Sequence, residues 1–174
     1  KTEITGGFQK MFGEMRRKKQ AIPLETCEKI LERGTSGVLA LEGEEGYPYA
    51  VPLSYFYENQ KIIFHCARNG YKIEAIKRNE KASFCVIDQD QIVPEEYTTY
   101  FRSVIVFGKI RILESEEEKR RAIEKLALKY APKEPEEKTN KAIDREFSAL
   151  CMLEFSIEHI SGKEAIELVR KERN

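Results

Sequence analysis

Residues 47–57 read Tyr-Pro-Tyr-Ala-Val-Pro-Leu-Ser-Tyr-Phe-Tyr. Tyr47, Tyr49, Val51, Leu53, Tyr55 and Tyr57 fall at every second position, the period of a β-strand with one buried face. Pro48 and Pro52 take the opposite parity. A proline has no N–H to give to a ladder, so within sheets it is confined to edges and bulges. The segment is therefore expected at a sheet edge, or leaving its partner there, with part of its backbone free. That excludes an all-helical fold and a central position for this strand.

The remaining elements follow from changes of period. Pro23, then Leu24, Cys27, Ile30 and Leu31 on one face, then Gly34, predict a helix over 23–33. Val38–Leu41 reads as a short buried strand before the turn Glu42–Gly46. Further strands are expected over 62–66, 82–87, 99–113 (bent near Gly108) and 150–160, with a polar loop over 88–96. Helices are expected from Gly70 to Arg78, from Ser115 to Tyr130, near 139–148, and in a short tail after Gly162. Strands joined by tight turns are antiparallel. About six such strands with peripheral helices favour a mainly β (α+β) small barrel over a doubly wound sheet.

Composition excludes other classes. At 174 residues one domain is expected. Residues 1–20 read as a basic, solvated arm and 21–174 as the domain. The chain begins at Lys1 rather than Met, and Met11 or Met15 is a candidate natural start, so residues 1–10 are expected to include non-native residues. Lys plus Arg is 30 and Asp plus Glu is 30, so net charge is zero and nucleic acid is not an expected partner. The longest apolar run, Ala149–Leu153, is far short of a membrane span. Four cysteines lie far apart with no Cys-x-x-Cys, which reads as reduced core residues of a cytoplasmic protein.

No familiar phosphate loop, nucleophile elbow or zinc-protease motif occurs in the sequence. Zinc held by His65, Cys66, Cys85 and His159 is disfavoured, because His65 and Cys66 are strand neighbours on opposite faces. No metal is expected. Cys66 shares a face with Ile62 and Phe64 and reads as packing. His65 reads first as a satisfied core or rim histidine, and second as a site residue. Lys72 reads either as a solvated lysine or as a cation that holds a phosphate with the first turn of the helix. Tyr97–Val104 mixes aromatics, hydroxyls and Arg102, either an aromatic sheet end or one wall of a site for a planar ligand.

In order, Tyr47-Pro48-Tyr49-Ala50-Val51-Pro52-Leu53, Ile63-Phe64-His65-Cys66-Ala67, Gly70-Tyr71-Lys72, Ile76-Lys77-Arg78-Asn79, Tyr100–Gly108, Lys129-Tyr130-Ala131-Pro132 and Ile160-Ser161-Gly162-Lys163 resemble the pyridoxamine 5′-phosphate oxidase-like split-barrel flavoproteins. The Nim-type, nitroimidazole-resistance-like branch is the most similar. The resemblance spans roughly residues 15–168 and rests on order and spacing rather than on one motif. It implies a homodimeric, six-stranded antiparallel split β-barrel with FMN at the interface. Val51, Pro52, Leu53 and Ser54 would lie along the flavin, Phe64, His65 and Cys66 beside it, and Lys72 on its phosphate. Ser103 and Arg102 would come from the partner's strand. His65 would be the catalytic candidate, facing substrate. The implied activity is reduction of a small oxidised substrate, such as a nitroaromatic, with a nicotinamide donor; the alternative is a non-catalytic flavin- or haem-binding protein. Two departures stand out. Tyr71 replaces the oxidase subfamily's arginine, and the chain lacks Trp and that subfamily's C-terminal motif, which argues against pyridoxine-phosphate oxidation.

Overall fold

A computed structural model of the chain describes residues 12–13 and 15–171. The expectation that residues 1–10 include non-native residues falls outside that range. One seven-stranded sheet runs through the protein in the order β2-β1-β5-β6-β7-β4-β3. The strands are β1 (Ser36–Glu42), β2 (Pro48–Ser54), β3 (Phe56–Glu58), β4 (Lys61–Ala67), β5 (Lys81–Val93), β6 (Thr98–Ile112) and β7 (Leu150–Glu164). Every pairing is antiparallel. The helices are α1 (Leu24–Arg33), α2 (Tyr71–Arg78), α3 (Glu116–Tyr130), α4 (Glu136–Glu146) and α5 (Ile166–Lys171).

The sheet has seven strands rather than six because the expected strand 47–57 breaks at Tyr55. Its first part, β2, pairs with β1 at one end of the sheet. Its last three residues, β3, pair with β4 at the other end. One continuous segment thus links the two sheet edges and curls the sheet into a barrel, and β2 approaches β4 without a ladder between them. The alternation hid this break, since Tyr55 and Tyr57 keep the inward parity of Val51 and Leu53 on both sides of it.

Two strands are longer than expected. β5 runs on through 88–93 and pairs with the start of β6, past a register shift between Ile87 and Gln89. β7 runs past residue 160 to Glu164, opposite Arg102. The bend foreseen near Gly108 is present as a register shift between Phe107 and Gly108. A Cβ at Gly108 would collide with the Ser156 carbonyl, so only glycine allows β6 and β7 to approach so closely there.

The core fills the barrel and the space beneath α1. Tyr55, Phe64, Phe84 and Phe155 are its largest fully buried side chains. The Phe84 ring lies edge-on to Tyr55 and to Phe64, with centroids 5.0 Å apart in each case, a favourable aromatic geometry. α1 contributes Cys27, Ile30 and Leu31 to this core. α3 begins at an N-cap, where Ser115 Oγ accepts from Glu118 N–H at 3.4 Å, and its first turn carries Glu116, Glu117 and Glu118. It covers the opposite side of β4 and β7, where Ile63, Leu113, Ala122 and Met152 form a second cluster. Phe84→Ala removes the ring at the centre of both aromatic contacts. It should cost about 3–5 kcal/mol, read as a lowered chemical-denaturation midpoint; a loss under about 1 kcal/mol would contradict this account of the core.

Candidate functional site: the split between β2 and β4

The ladders fix which backbone groups stay free. Ile157 N–H donates to Gln60 O at 3.0 Å, in register with the β4–β7 pairs. Even-numbered residues of β4 therefore bond β7, and the odd ones turn their N–H and C=O the other way. β3 takes up that side only as far as Ile63, opposite Phe56. His65 and Ala67 are left facing the gap. On the other wall, Gly43 N–H donates to Tyr47 O at 2.9 Å in the β1–β2 register, so odd residues of β2 bond β1. Pro48, Ala50, Pro52 and Ser54 face outward, and the two prolines sit where no N–H is required. Two open strand edges thus face each other across a wedge that widens from Tyr55. None of the amides of Ala50, Ser54, His65 and Ala67 bonds a group outside the ladders among the described residues.

The expected residues distribute around this wedge in three ways. Pro52 and Ser54 stand on its β2 edge, while Val51 and Leu53 turn half-buried side chains into the barrel. Phe64 is fully buried against Phe84. The Cys66 thiol lies against Cys151, its partner directly across the ladder, and burial, with Cys151 second, pushes its pKa up to about 12. That thiol stays protonated and does not serve as a nucleophile. His65 is exposed at the rim. Partial burial lowers its pKa below the ordinary histidine value, and the Lys72 charge lowers it further. His65 is thus a neutral imidazole at pH 7, able to give one hydrogen bond and accept another.

Lys72 stands out electrostatically. It is half-buried in the first turn of α2, and it forms no hydrogen bond or ion pair among the described residues. Its helix neighbours are paired: Lys77 with Glu74 at 3.0 Å, and Arg78 with Glu44 at 3.4 Å. A partly desolvated ammonium with no carboxylate partner favours a bound anion. Gly70, with φ of +131°, lets β4 turn directly into α2 and so sets Lys72 beside His65 and Cys66. Tyr71 does not stand in for a cation. Its ring packs on Tyr49 with centroids 4.7 Å apart, and its hydroxyl accepts from Glu44 N–H at 2.6 Å, tying α2 to the start of β2.

Arg102 and Ser103 are not brought to this wedge within one chain; they lie on β6, two strands from β4 and three from β2. Arg102 engages the buried Glu164 carboxylate, with Nε at 2.9 Å and Nη2 at 2.7 Å. Ser103 lies on the outer sheet face, between Ile87 and Lys163. The free backbone of Ala50 and Ala67 went unnoticed in the sequence, although the proline parity marks the first of them. Large cavities lie elsewhere. One of about 430 Å³, between α3 and β3–β4, is rimmed by Lys125–Glu58 and Lys61–Glu154 ion pairs, so its charges already satisfy one another.

Comparison with known proteins bears on this geometry. A candidate 5-nitroimidazole antibiotic resistance protein from Bacteroides thetaiotaomicron superposes with a TM-score of 0.70 at 23% identity, over 83% of this chain and 86% of that one. An FAD-binding protein from Mesorhizobium loti gives 0.64 at 24% identity, over 84% and 97%. An FAD- and haem-binding protein from Mycobacterium smegmatis gives 0.68 at 20%, over 84% and 73%. At these identities the likeness is one of fold. No curated protein sequence matches the chain. The family profile described as pyridoxamine 5′-phosphate oxidase matches residues 23–164, most of the chain and all of the wedge, and the protein therefore belongs to that family.

Proposed function

We propose that the chain binds a flavin, with FMN as the cofactor, in the wedge between β2 and β4, and that it is an oxidoreductase acting on a small oxidised substrate such as a nitroaromatic. The observation that carries this reading is the pair of open strand edges closed at one end by an uncommitted Lys72. The polar edge of an isoalloxazine needs backbone donors and acceptors, and Ala50, Ser54, His65 and Ala67 supply both. Lys72 is a single cation, which suits the one terminal phosphate of FMN. The FAD-binding relatives in fold support a flavin of either kind.

A bound flavin supplies acceptance of hydride from a nicotinamide donor and delivery of electrons to substrate. The chain's own part is binding, orientation and proton handling. The β2 and β4 backbones fix the plane of the ring, and Lys72 anchors its tail. His65 is uncharged near neutrality, so it orients substrate through one ring nitrogen and passes on the proton held there.

The homodimer belongs to the same proposal. On the outer sheet face, Pro52, Val38, Cys85, Ile105 and Ser161 form one cross-strand row, and Ala50, Ala40, Ser83, Phe107 and His159 form the next. Neither row holds an Asp, Glu, Lys or Arg, and Val38 and Ile105 remain 38% and 39% exposed. Phe12 of the same chain stacks on His159 and packs on Phe107, so the row from Pro52 to Ser161 is the open one, and an uncharged row of this kind suits a second copy. It borders β2, so the partner's Ser103 would approach the wedge.

The purified protein should be yellow or turn yellow with added FMN. Lys72→Ala should weaken FMN by roughly 10–100-fold in a fluorescence titration, the value of one charge-assisted hydrogen bond. The same variant should raise the His65 pKa toward its ordinary value by proton NMR, since a repelling charge is gone. Uptake of neither FMN nor FAD, or a Soret band in place of flavin absorption, would overturn the flavin assignment. Ile105→Glu should convert the dimer to monomer by analytical ultracentrifugation; a wild type that sediments as a monomer at micromolar concentration contradicts the interface.

A further inference from the structure

We infer that Lys129 and Tyr130, the last two residues of α3, are positioning residues that set the opening of the cofactor wedge. The inference rests on the flavin site proposed above. Tyr55 belongs to neither β2 nor β3, so its peptide groups have no ladder partner at the apex of the wedge. The Tyr130 hydroxyl meets both of them. Its oxygen accepts from Tyr55 N–H at 2.9 Å, and the hydroxyl lies 2.8 Å from Tyr55 O. It also reaches Thr35 O, just before β1. With one proton, the hydroxyl donates to one carbonyl at a time. A single side chain thus ties the apex to the entrance of β1, the strand on which β2 hangs.

Lys129 doubles the tie. Its Nζ donates to Gly34 O at 2.5 Å and sits 4.4 Å over the centroid of the Tyr55 ring. The Tyr55 hydroxyl in turn donates to Leu31 O at 2.7 Å. Three points of the chain, Gly34, Thr35 and the Tyr55 peptide, are therefore fixed around one joint by these two residues. β2 and β4 diverge from that joint, so a small rotation there moves the free groups of Ala50 away from those of Ala67. The contribution of Tyr130 lies in its hydroxyl rather than in burial, because its side chain stays 41% exposed.

Tyr130→Phe keeps the ring and deletes the tie. Tyr55 is fully buried, but Tyr130 and Thr35 beside it are exposed, so water can enter from that side and replace part of the lost bonding, and the variant should fold with a thermal midpoint within a few degrees of wild type. Its flavin dissociation constant should rise at least tenfold, with a faster off-rate and altered visible circular dichroism of the bound flavin. Lys129→Met, which retains the stem, should show the same change to a smaller degree, and it serves if Tyr130→Phe does not fold. Tyr55→Phe is the control: it loses the Leu31 bond but keeps the apex peptide, so it should lower stability while leaving flavin affinity within about threefold. A wild type that binds flavin, with Tyr130→Phe and Lys129→Met binding it equally tightly, overturns this inference alone. A wild type that takes up no flavin overturns the cofactor reading and the inference with it.

Discussion

Pro48 and Pro52 deny β2 a second neighbour, and the rest of the structure accommodates that fact. A strand with no donors at two outward positions cannot close a ladder on that side. The sheet therefore curls until β2 stands near β4 and stops short of pairing with it. The chain crosses between the two sheet ends at Tyr55, whose peptide groups are met by a side chain from α3. A fully hydrogen-bonded barrel would bury these edges; this one leaves polar backbone facing a gap, where an unmade hydrogen bond costs free energy until a ligand or water supplies it.

The charges are arranged to the same end. A net charge of zero conveys little, because most of the described surface cations lie within reach of carboxylates, as Arg33 does at Asp88 and Arg111 at Glu118 and Glu154. Exposed pairs of this kind add little stability. Their effect at the wedge is contrast, since Lys72 stands half-buried without such a partner. Its field also helps keep His65 neutral. One lysine thus both leaves its charge open to an anion and adds to the burial that lowers the pKa of the adjacent imidazole.

Much of this was legible in the sequence, for identifiable reasons. The alternation over 47–57 gave the inward face, and the prolines gave the edge, because both are local properties of the chain. Ser115 and Pro23 marked helix starts, and Gly108 marked the bulge, for the same reason. The break at Tyr55 was not legible: the period of two continues through it, and only the closure of the barrel decides where the chain must change neighbours. The extension of β5 over 88–93 was hidden because Asp88, Gln89, Asp90 and Gln91 read as a loop and are held extended only by β6. The positions of Arg102 and Ser103, far from Lys72 within one chain, are likewise a matter of topology rather than spacing. Tyr130 formed part of a motif without a role until the apex it caps could be seen.

The central claim is that the two open edges are the cofactor-binding surface, and residue-resolved amide exchange tests it most directly. In the protein free of flavin, the amides of Ala50, Ser54, His65 and Ala67 should exchange rapidly compared with their ladder-bonded neighbours Val51 and Phe64. Saturation with FMN should slow all four, on both walls of the wedge. Flavin binding that leaves these four amides unchanged and protects a different surface would contradict the account.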